Sequence, residues 1–276
     1  MPAAVAEAPS AMGRVLFEQQ VQVDIPADPR LVLVTDLDGT LLAGDRRDRL
    51  TLYRWLARER QHVLHLFATG RDLRSIGTLF DDPLHDELGR PHLVIGDVGC
   101  TVACGQSLQE VPLVVEAIEE RWRGFAERVL QLTRGQRGLS PQPVVSRRRH
   151  AFHAEPDLLD PTLMERLEAI GVDCLLSDGR YLDVLPSGVN KGSTLRRVLA
   201  LLELTHLPVV VAGDTLNDLA MFQQGYLGII VGNAEAPLLE RLDELSGVYL
   251  ARGHGCSGIL EGLRHYGFGP LAVVSP

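Results

Sequence analysis

The chain reads as an α/β protein, a doubly wound parallel sheet of the Rossmann-like kind with a smaller α+β domain inserted into it. Three observations predict this. From residue 31 onward, short β-branched runs alternate with amphipathic helical stretches, the pattern of a parallel sheet covered by helices on both faces. The first run, Leu31-Val32-Leu33-Val34, is apolar at every position, as strands buried on both sides are. Between 111 and 186 the order becomes strand, helix, strand, strand, which belongs to an α+β unit.

Residues 1–30 are rich in Ala and Pro and then alternate weakly through Val21 and Val23, so they read as a loose tail leading into an edge strand. The core domain comprises 31–110 and 187–276. Its strands are expected at 31–35, 62–68, 93–96, 208–212 and 228–231, and its helices at 49–59, 72–80, 191–204, 217–224 and 237–245. The inserted domain, 111–186, opens with a long charged helix over 113–132. A loop rich in Gly, Arg and Pro leads to extended segments at 143–146 and 151–153. A helix over 161–170 then precedes strands at 172–176 and 181–185, and Asp178-Gly179 between them signals a hairpin. No internal repeat or low-complexity tract interrupts this order.

Composition narrows the classes of function. With 276 residues, 45% of them hydrophobic, the chain can bury a full core. A net charge of −9 argues against nucleic acid as a partner, and the local run Arg147-Arg148-Arg149-His150 reads as a solvated face. No stretch approaches the roughly 18 consecutive apolar residues of a membrane span, and residues 1–11 lack the pattern of a secretory leader, so a cytoplasmic protein is expected. Cys100, Cys104, Cys174 and Cys256 show no paired C-x-x-C spacing. They read as reduced structural thiols, not as a zinc site or a disulfide framework.

The chemistry concentrates at strand ends. Asp36 and Asp38, in Asp36-Leu37-Asp38-Gly39-Thr40, follow the first strand at its carboxyl end, where open α/β sheets bind ligands. A period of two would point both carboxylates to one side, and two such charges are costly together unless a cation or proton neutralises one. A metal is therefore expected. Thr69-Gly70-Arg71 ends the second strand, Lys191-Gly192-Ser193 opens a helix, Gly213-Asp214-Thr215-Leu216-Asn217-Asp218 follows the run Val209 to Ala212, and Val231-Gly232-Asn233-Ala234 ends another strand. Singly each has an ordinary explanation: Asp38-Gly39 as a turn, Lys191 as a surface cation, Asn217-Asp218 as a helix start. Their joint order in this strand context points to one site.

That order resembles the haloacid dehalogenase superfamily of phosphotransferases, with matches at Asp36, Asp38, Thr40, Thr69, Lys191, Asp214 and Asp218. The inserted domain is similar to the C2-type cap of that superfamily. Asp97-Val98-Gly99, Gly255-Cys256-Ser257-Gly258-Ile259-Leu260 and Gly267-Phe268-Gly269-Pro270 resemble its sucrose-phosphate phosphatase branch. The resemblance implies Mg²⁺-dependent hydrolysis of a phosphomonoester through an aspartyl-phosphate. The residues agree with that chemistry. A phosphomonoester carries about two negative charges near neutral pH, so carboxylate attack calls for a cation between them, and Mg²⁺ takes an oxygen shell of this type. Asp36 and Asp214 are assigned as ligands with the carbonyl of Asp38, while Asn217 and Asp218 lie in or behind that shell and orient Lys191. Asp36 is the expected nucleophile and Asp38 the acid and base. Thr69, the amide of Gly70 and Lys191 would grip the phosphate oxygens.

The cap is where the leaving group would be read. Arg147, His150 and His153, together with Arg180, Tyr181 and Asp183, are the polar groups offered for sugar hydroxyls, each of them equally readable as solvated surface. The branch resemblance implies a sugar or glycoside phosphate: a disaccharide phosphate such as sucrose-6-phosphate or mannosylfructose phosphate, or glucosylglycerol phosphate. Two alternatives stay open. A sugar phosphomutase would return the phosphoryl group to a second position instead of to water. A non-catalytic regulatory partner of a glycosyltransferase would need none of Asp36, Asp38, Lys191 and Asp214. Association of an active phosphatase with a glycosyltransferase is also open.

Overall fold

The structure, a computed structural model, describes residues 11–20 and 25–270. Helix α1 (Ala11–Gln20) comes first, followed by β1 (Leu31–Thr35), α2 (Arg46–Arg58), β2 (Val63–Ala68), α3 (Leu73–Asp81), β3 (Leu93–Gly96) and β4 (Thr101–Cys104). Then come α4 (Pro112–Trp122), α5 (Ala126–Thr133), β5 (Leu139–Pro141), β6 (His150–Ala154), α6 (Leu163–Glu168), β7 (Val172–Ser177) and β8 (Tyr181–Pro186). The chain closes through α7 (Lys191–Leu201), β9 (Val209–Gly213), α8 (Leu219–Phe222), β10 (Leu227–Ile230), α9 (Ala236–Leu239), β11 (Val248–Leu250) and α10 (Cys256–His265).

Seven strands form the larger sheet in the order β11-β10-β9-β1-β2-β3-β4. Every neighbouring pair is parallel except β3 with β4. Strand order reverses at β1, which has β2 on one side and β9 on the other, so a crevice opens at its carboxyl end. Alternation along β1 shows why its residues are apolar throughout: Val32 and Val34 enter the core on one face of the sheet, Leu31 and Leu33 the core on the other. The smaller sheet, β5-β6-β8-β7, is antiparallel and has a core of its own around Trp122, Phe152, Leu167 and Leu182. Val111, Val114 and Ile118, at the start of the inserted segment, pack into the core of the larger sheet.

Several expectations are corrected. The amino-terminal stretch contributes a helix, α1, which buries Phe17 completely and whose Gln20 side chain accepts the N–H of Leu113. The expected edge strand at Val21 and Val23 lies outside the described residues. The helix expected over 113–132 is two, because the backbone leaves helical dihedrals at Arg123 (ψ 125) before Gly124. The extended segment at 143–146 joins no sheet. Pro143 has no N–H to offer a ladder, and the N–H of Val145 goes instead to Asp72. The hairpin at Asp178-Gly179 is present, with φ of +51 and +58 as a tight turn between right-twisted strands requires.

Candidate active site

Lys191 opens α7 and lies wholly out of contact with solvent. Its ammonium donates to Asp36 Oδ1 at 2.7 Å, Asp218 Oδ1 at 2.7 Å and Asn217 Oδ1 at 2.5 Å. Burial alone works against a charged lysine, but Asp218 and Asp36 outweigh it and raise the Lys191 pKa above its ordinary value. The second oxygen of Asp218 accepts the N–H groups of Asp214 (2.9 Å) and Thr215 (3.1 Å), so this side chain closes the turn after β9 as well as holding Lys191. Asp214 follows β9 and accepts from Thr40 Oγ1 at 2.6 Å. Gly39 passes so close, at φ +77, that a Cβ there would stand 2.0 Å from Asp214 Oδ2. Only glycine lets the turn after β1 approach the turn after β9 in this way.

Oxygens of Asp36, Asp214 and Asp218 lie within 4.8 Å of one another. Three buried carboxylates face one ammonium, and the imbalance is visible in their titration. Burial, with Asp218 and Asp214 adding to it, pushes Asp36 well above the usual carboxylate range despite Lys191. Burial and the Asp218 charge push Asp214 up to about 7. Among the described residues no donor reaches Asp36 Oδ2 or Asp214 Oδ2. These two oxygens, in a pocket with excess negative charge, fit an oxygen-seeking divalent cation.

Asp36 and Asp38 both line one cleft, but the Asp38 carboxylate is not among the oxygens clustered at Asp36. Strand geometry ends at Thr35, and in the irregular turn that follows, the Asp38 carboxylate takes a two-point pair from Arg71, Nε to Oδ2 and Nη2 to Oδ1, both at 2.7 Å. Arg71 was visible in the sequence only as the end of Thr69-Gly70-Arg71; its part in holding Asp38 was not. Thr69 is buried at the end of β2, its Oγ1 accepting the Arg71 N–H at 3.2 Å, and Gly70 follows just before α3. A cleft of about 710 Å³ is lined by Asp36, Asp38, Thr69, Gly70 and Asp214 on one side and by His153, Arg180 and Tyr181 on the other.

The inserted segment distributes its polar residues unevenly. His153 and Tyr181 stand 5.7 Å apart between ring centroids on adjacent strands, and the Arg180 guanidinium lies over the Tyr181 ring. Arg147 is exposed and outside the cleft lining. His150 turns toward the core of the smaller sheet, with Trp122 beside it and its Nε2 3.1 Å from the carbonyl of Ala126. Asp183 borders the cleft, but its carboxylate is engaged by Arg149. The basic run is therefore not a solvated face. Arg148 and Arg149 are buried: Arg148 reaches the Cys100 carbonyl, Thr101 and Glu110, while Arg149 reaches Asp97 Oδ1 (3.0 Å), Asp183 and the Gly70 carbonyl (2.7 Å). The available signal was a run of cations leading directly into β6, most of whose residues are buried, since charges drawn below the surface need partners.

Comparison with known proteins follows the same lines. The family model for sucrose-6F-phosphate phosphohydrolase matches residues 29–267. A glucosylglycerol-phosphate synthase of Pseudomonas anguilliseptica is 40% identical over 239 residues, which is 86% of this chain but 31% of the synthase. This chain thus spans about a third of that relative's length. A mannosylfructose-phosphate phosphatase of Agrobacterium fabrum is 29% identical over 261 residues, covering 88% of this chain and 99% of that protein. Among solved structures, the sucrose-phosphatase of Synechocystis sp. PCC6803 in complex with sucrose and phosphate superposes with a TM-score of 0.76 at 28% identity, covering 87% of this chain and 99% of that one.

Proposed function

Because the chain belongs to the sucrose-6F-phosphate phosphohydrolase family, within the haloacid dehalogenase superfamily, we propose that it hydrolyses a phosphomonoester on a glycoside, with glucosylglycerol phosphate the first substrate to test. The observation that carries this reading is the buried Lys191 ammonium, which pins Asp36 beside Asp214 at the switch point of the sheet with the Thr69-Gly70 turn in the same cleft. The 40% identity to part of a glucosylglycerol-phosphate synthase supports the choice of substrate. It also supports association with the enzyme that makes that substrate. Mannosylfructose phosphate and sucrose-6-phosphate come next in the panel.

The roles can be assigned residue by residue. Asp36 attacks phosphorus; Lys191 holds one of its oxygens, leaving the other with no donor among the described residues. Asp38 gives a proton to the leaving glycoside oxygen and then takes one from the water that opens the aspartyl-phosphate; Arg71, which here donates to both of its oxygens, must release one of them for Asp38 to carry that proton. Thr69, the Gly70 amide and Lys191 bind the phosphoryl oxygens. Magnesium held by Asp36, Asp214 and the Asp38 carbonyl would neutralise the charge that otherwise repels a carboxylate from a phosphate dianion. The segment over 111–186 acts as the cap, and His153, Arg180 and Tyr181 are the groups that face the leaving sugar.

The test is release of inorganic phosphate from a panel of sugar and glycoside phosphates. Asp36→Asn should lower turnover by more than about a thousandfold. It should leave the far-ultraviolet circular dichroism unchanged. Retained turnover would remove Asp36 from the nucleophile's role, and accumulation of an isomeric sugar phosphate without free phosphate would favour a mutase. Chelation with EDTA should stop the reaction and added Mg²⁺ should restore it; full activity in EDTA would exclude the metal.

A further inference from the structure

Two carboxylates, one following β2 and one following β10, straddle the seam between the larger sheet and the inserted segment on either side of β1. Glu235 precedes α9 and donates its own N–H to the Asp214 carbonyl at 2.9 Å. Its side chain accepts two more amides: Oε1 takes the N–H of Leu216, in the turn after β9, and Oε2 takes that of Asp178, at the tip of the β7–β8 hairpin, at 2.9 Å. Asp72 repeats the arrangement. Its Oδ1 caps α3 through the Ser75 N–H at 2.7 Å, and its Oδ2 accepts the N–H of Val145, in the loop after β5, at 2.6 Å. In each case one oxygen is committed to the core and the other to a main-chain amide of the inserted segment.

The arginine links across the seam, Arg148 to Cys100, Thr101 and Glu110 and Arg149 beside it, are of another kind. Arg149 is buried among Asp97, Asp183 and the Gly70 carbonyl, and pulling it out would strand charges on both sides. The Asp72 and Glu235 contacts each cross the seam by one charge-assisted hydrogen bond, to amides of the exposed residues Val145 and Asp178. Such bonds can be broken and remade as a cleft opens.

We infer that Asp72 and Glu235 are clasps that close the inserted segment over the cleft, and that Glu235 is also a positioning residue, because the carboxylate that grips Asp178 braces the turn carrying Asp214. Closure and registration of that turn become one event. This inference rests on the reading of the cleft as a glycoside phosphatase site, and its test separates the two.

Amide hydrogen exchange on the full chain, followed by mass spectrometry, reads the clasps directly. In Glu235→Ala, exchange over 177–180 should rise at least about tenfold while 143–146 is unchanged. Asp72→Ser keeps a helix-capping oxygen and should do the reverse. The positioning role is read by comparing a glycoside phosphate with p-nitrophenyl phosphate, whose leaving group has no hydroxyls for the cap to hold. Glu235→Ala should lower kcat/KM on both substrates, because both need the Asp214 turn, by about threefold for the aryl ester and by about tenfold more than that for the glycoside. Unchanged exchange at 177–180 would overturn the clasp. Aryl-ester turnover equal to the wild type would overturn the positioning role, and an equal loss on both substrates would overturn its coupling to closure. Should the wild-type chain hydrolyse neither compound, the functional reading fails, and the exchange data still decide whether the clasps exist.

Discussion

Lys191 is the residue on which the site turns, since its ammonium is the counter-charge to two of three buried carboxylates. Lys191→Met would fill similar volume while leaving Asp36 and Asp218 unpaired, and breaking a buried pair in this way costs about 3–5 kcal/mol. Denaturant unfolding in EDTA should show that loss, and a smaller one with saturating Mg²⁺, because a bound cation takes over part of the neutralisation. Arg71 makes a different case. Its pair with Asp38 stands at the cleft mouth, so its worth lies in geometry more than in stability. Arg71→Gln should leave the unfolding midpoint nearly unchanged while lowering kcat about tenfold or more through a loosened Asp38. Steady-state kinetics beside a thermal melt checks both halves, and an unchanged kcat would show that Asp38 needs no such support.

At the scale of elements, what the sequence declares depends on where an element's partners lie. β1, β2 and β3 are legible within a residue because apolar, β-branched runs specify buried strands by themselves. Asp36, Thr69, Lys191 and Asp214 are legible because each ends such a strand or opens a helix. The loop over 143–146 is not, since the side chain that anchors its main chain, Asp72, lies 73 residues away. Arg149 is hidden for the same reason: Asp97 and Asp183 are 52 and 34 residues distant, and an arginine in a basic run carries no mark of the carboxylates it will meet. That buried junction joins β6 and β8 to the turn after β3 and to Gly70. Arg149→Met should therefore cost about 3–5 kcal/mol in stability, whereas Arg147→Met, at an exposed position, should stay within about 0.5 kcal/mol. Equal effects of the two would show that the junction holds nothing.

Across the whole molecule, stability should depend on pH through two histidines at the heart of the larger sheet. His65, in β2, faces Thr35 Oγ1 at 3.1 Å, and its own N–H donates to His92 Nδ1 at 3.1 Å, so that nitrogen of His92 must carry no proton. Burial, with His92 and Arg60 adding to it, lowers His65 to about 3; burial, with Arg60, lowers His92 to about 4. Both are neutral when folded, whereas in the unfolded chain they take up protons below their ordinary value of about 6.5. Below that pH the unfolded state binds more protons, so stability is fully present above about 6.5 and is lost on acidification, until His92 titrates near 4 and His65 near 3. The slope is about 1.4 kcal/mol per pH unit for each histidine. Asp36 and Asp214, whose carboxyls are raised, take up protons in the folded state and act in the opposite direction, so the test must be a difference. His92→Asn keeps an acceptor for the His65 N–H and removes one titration. Urea unfolding of both proteins between pH 7 and 5 should give the variant a dependence flatter by about 1 kcal/mol per pH unit on average, and parallel curves would mean that His92 takes up its proton as readily in the fold as in the unfolded chain.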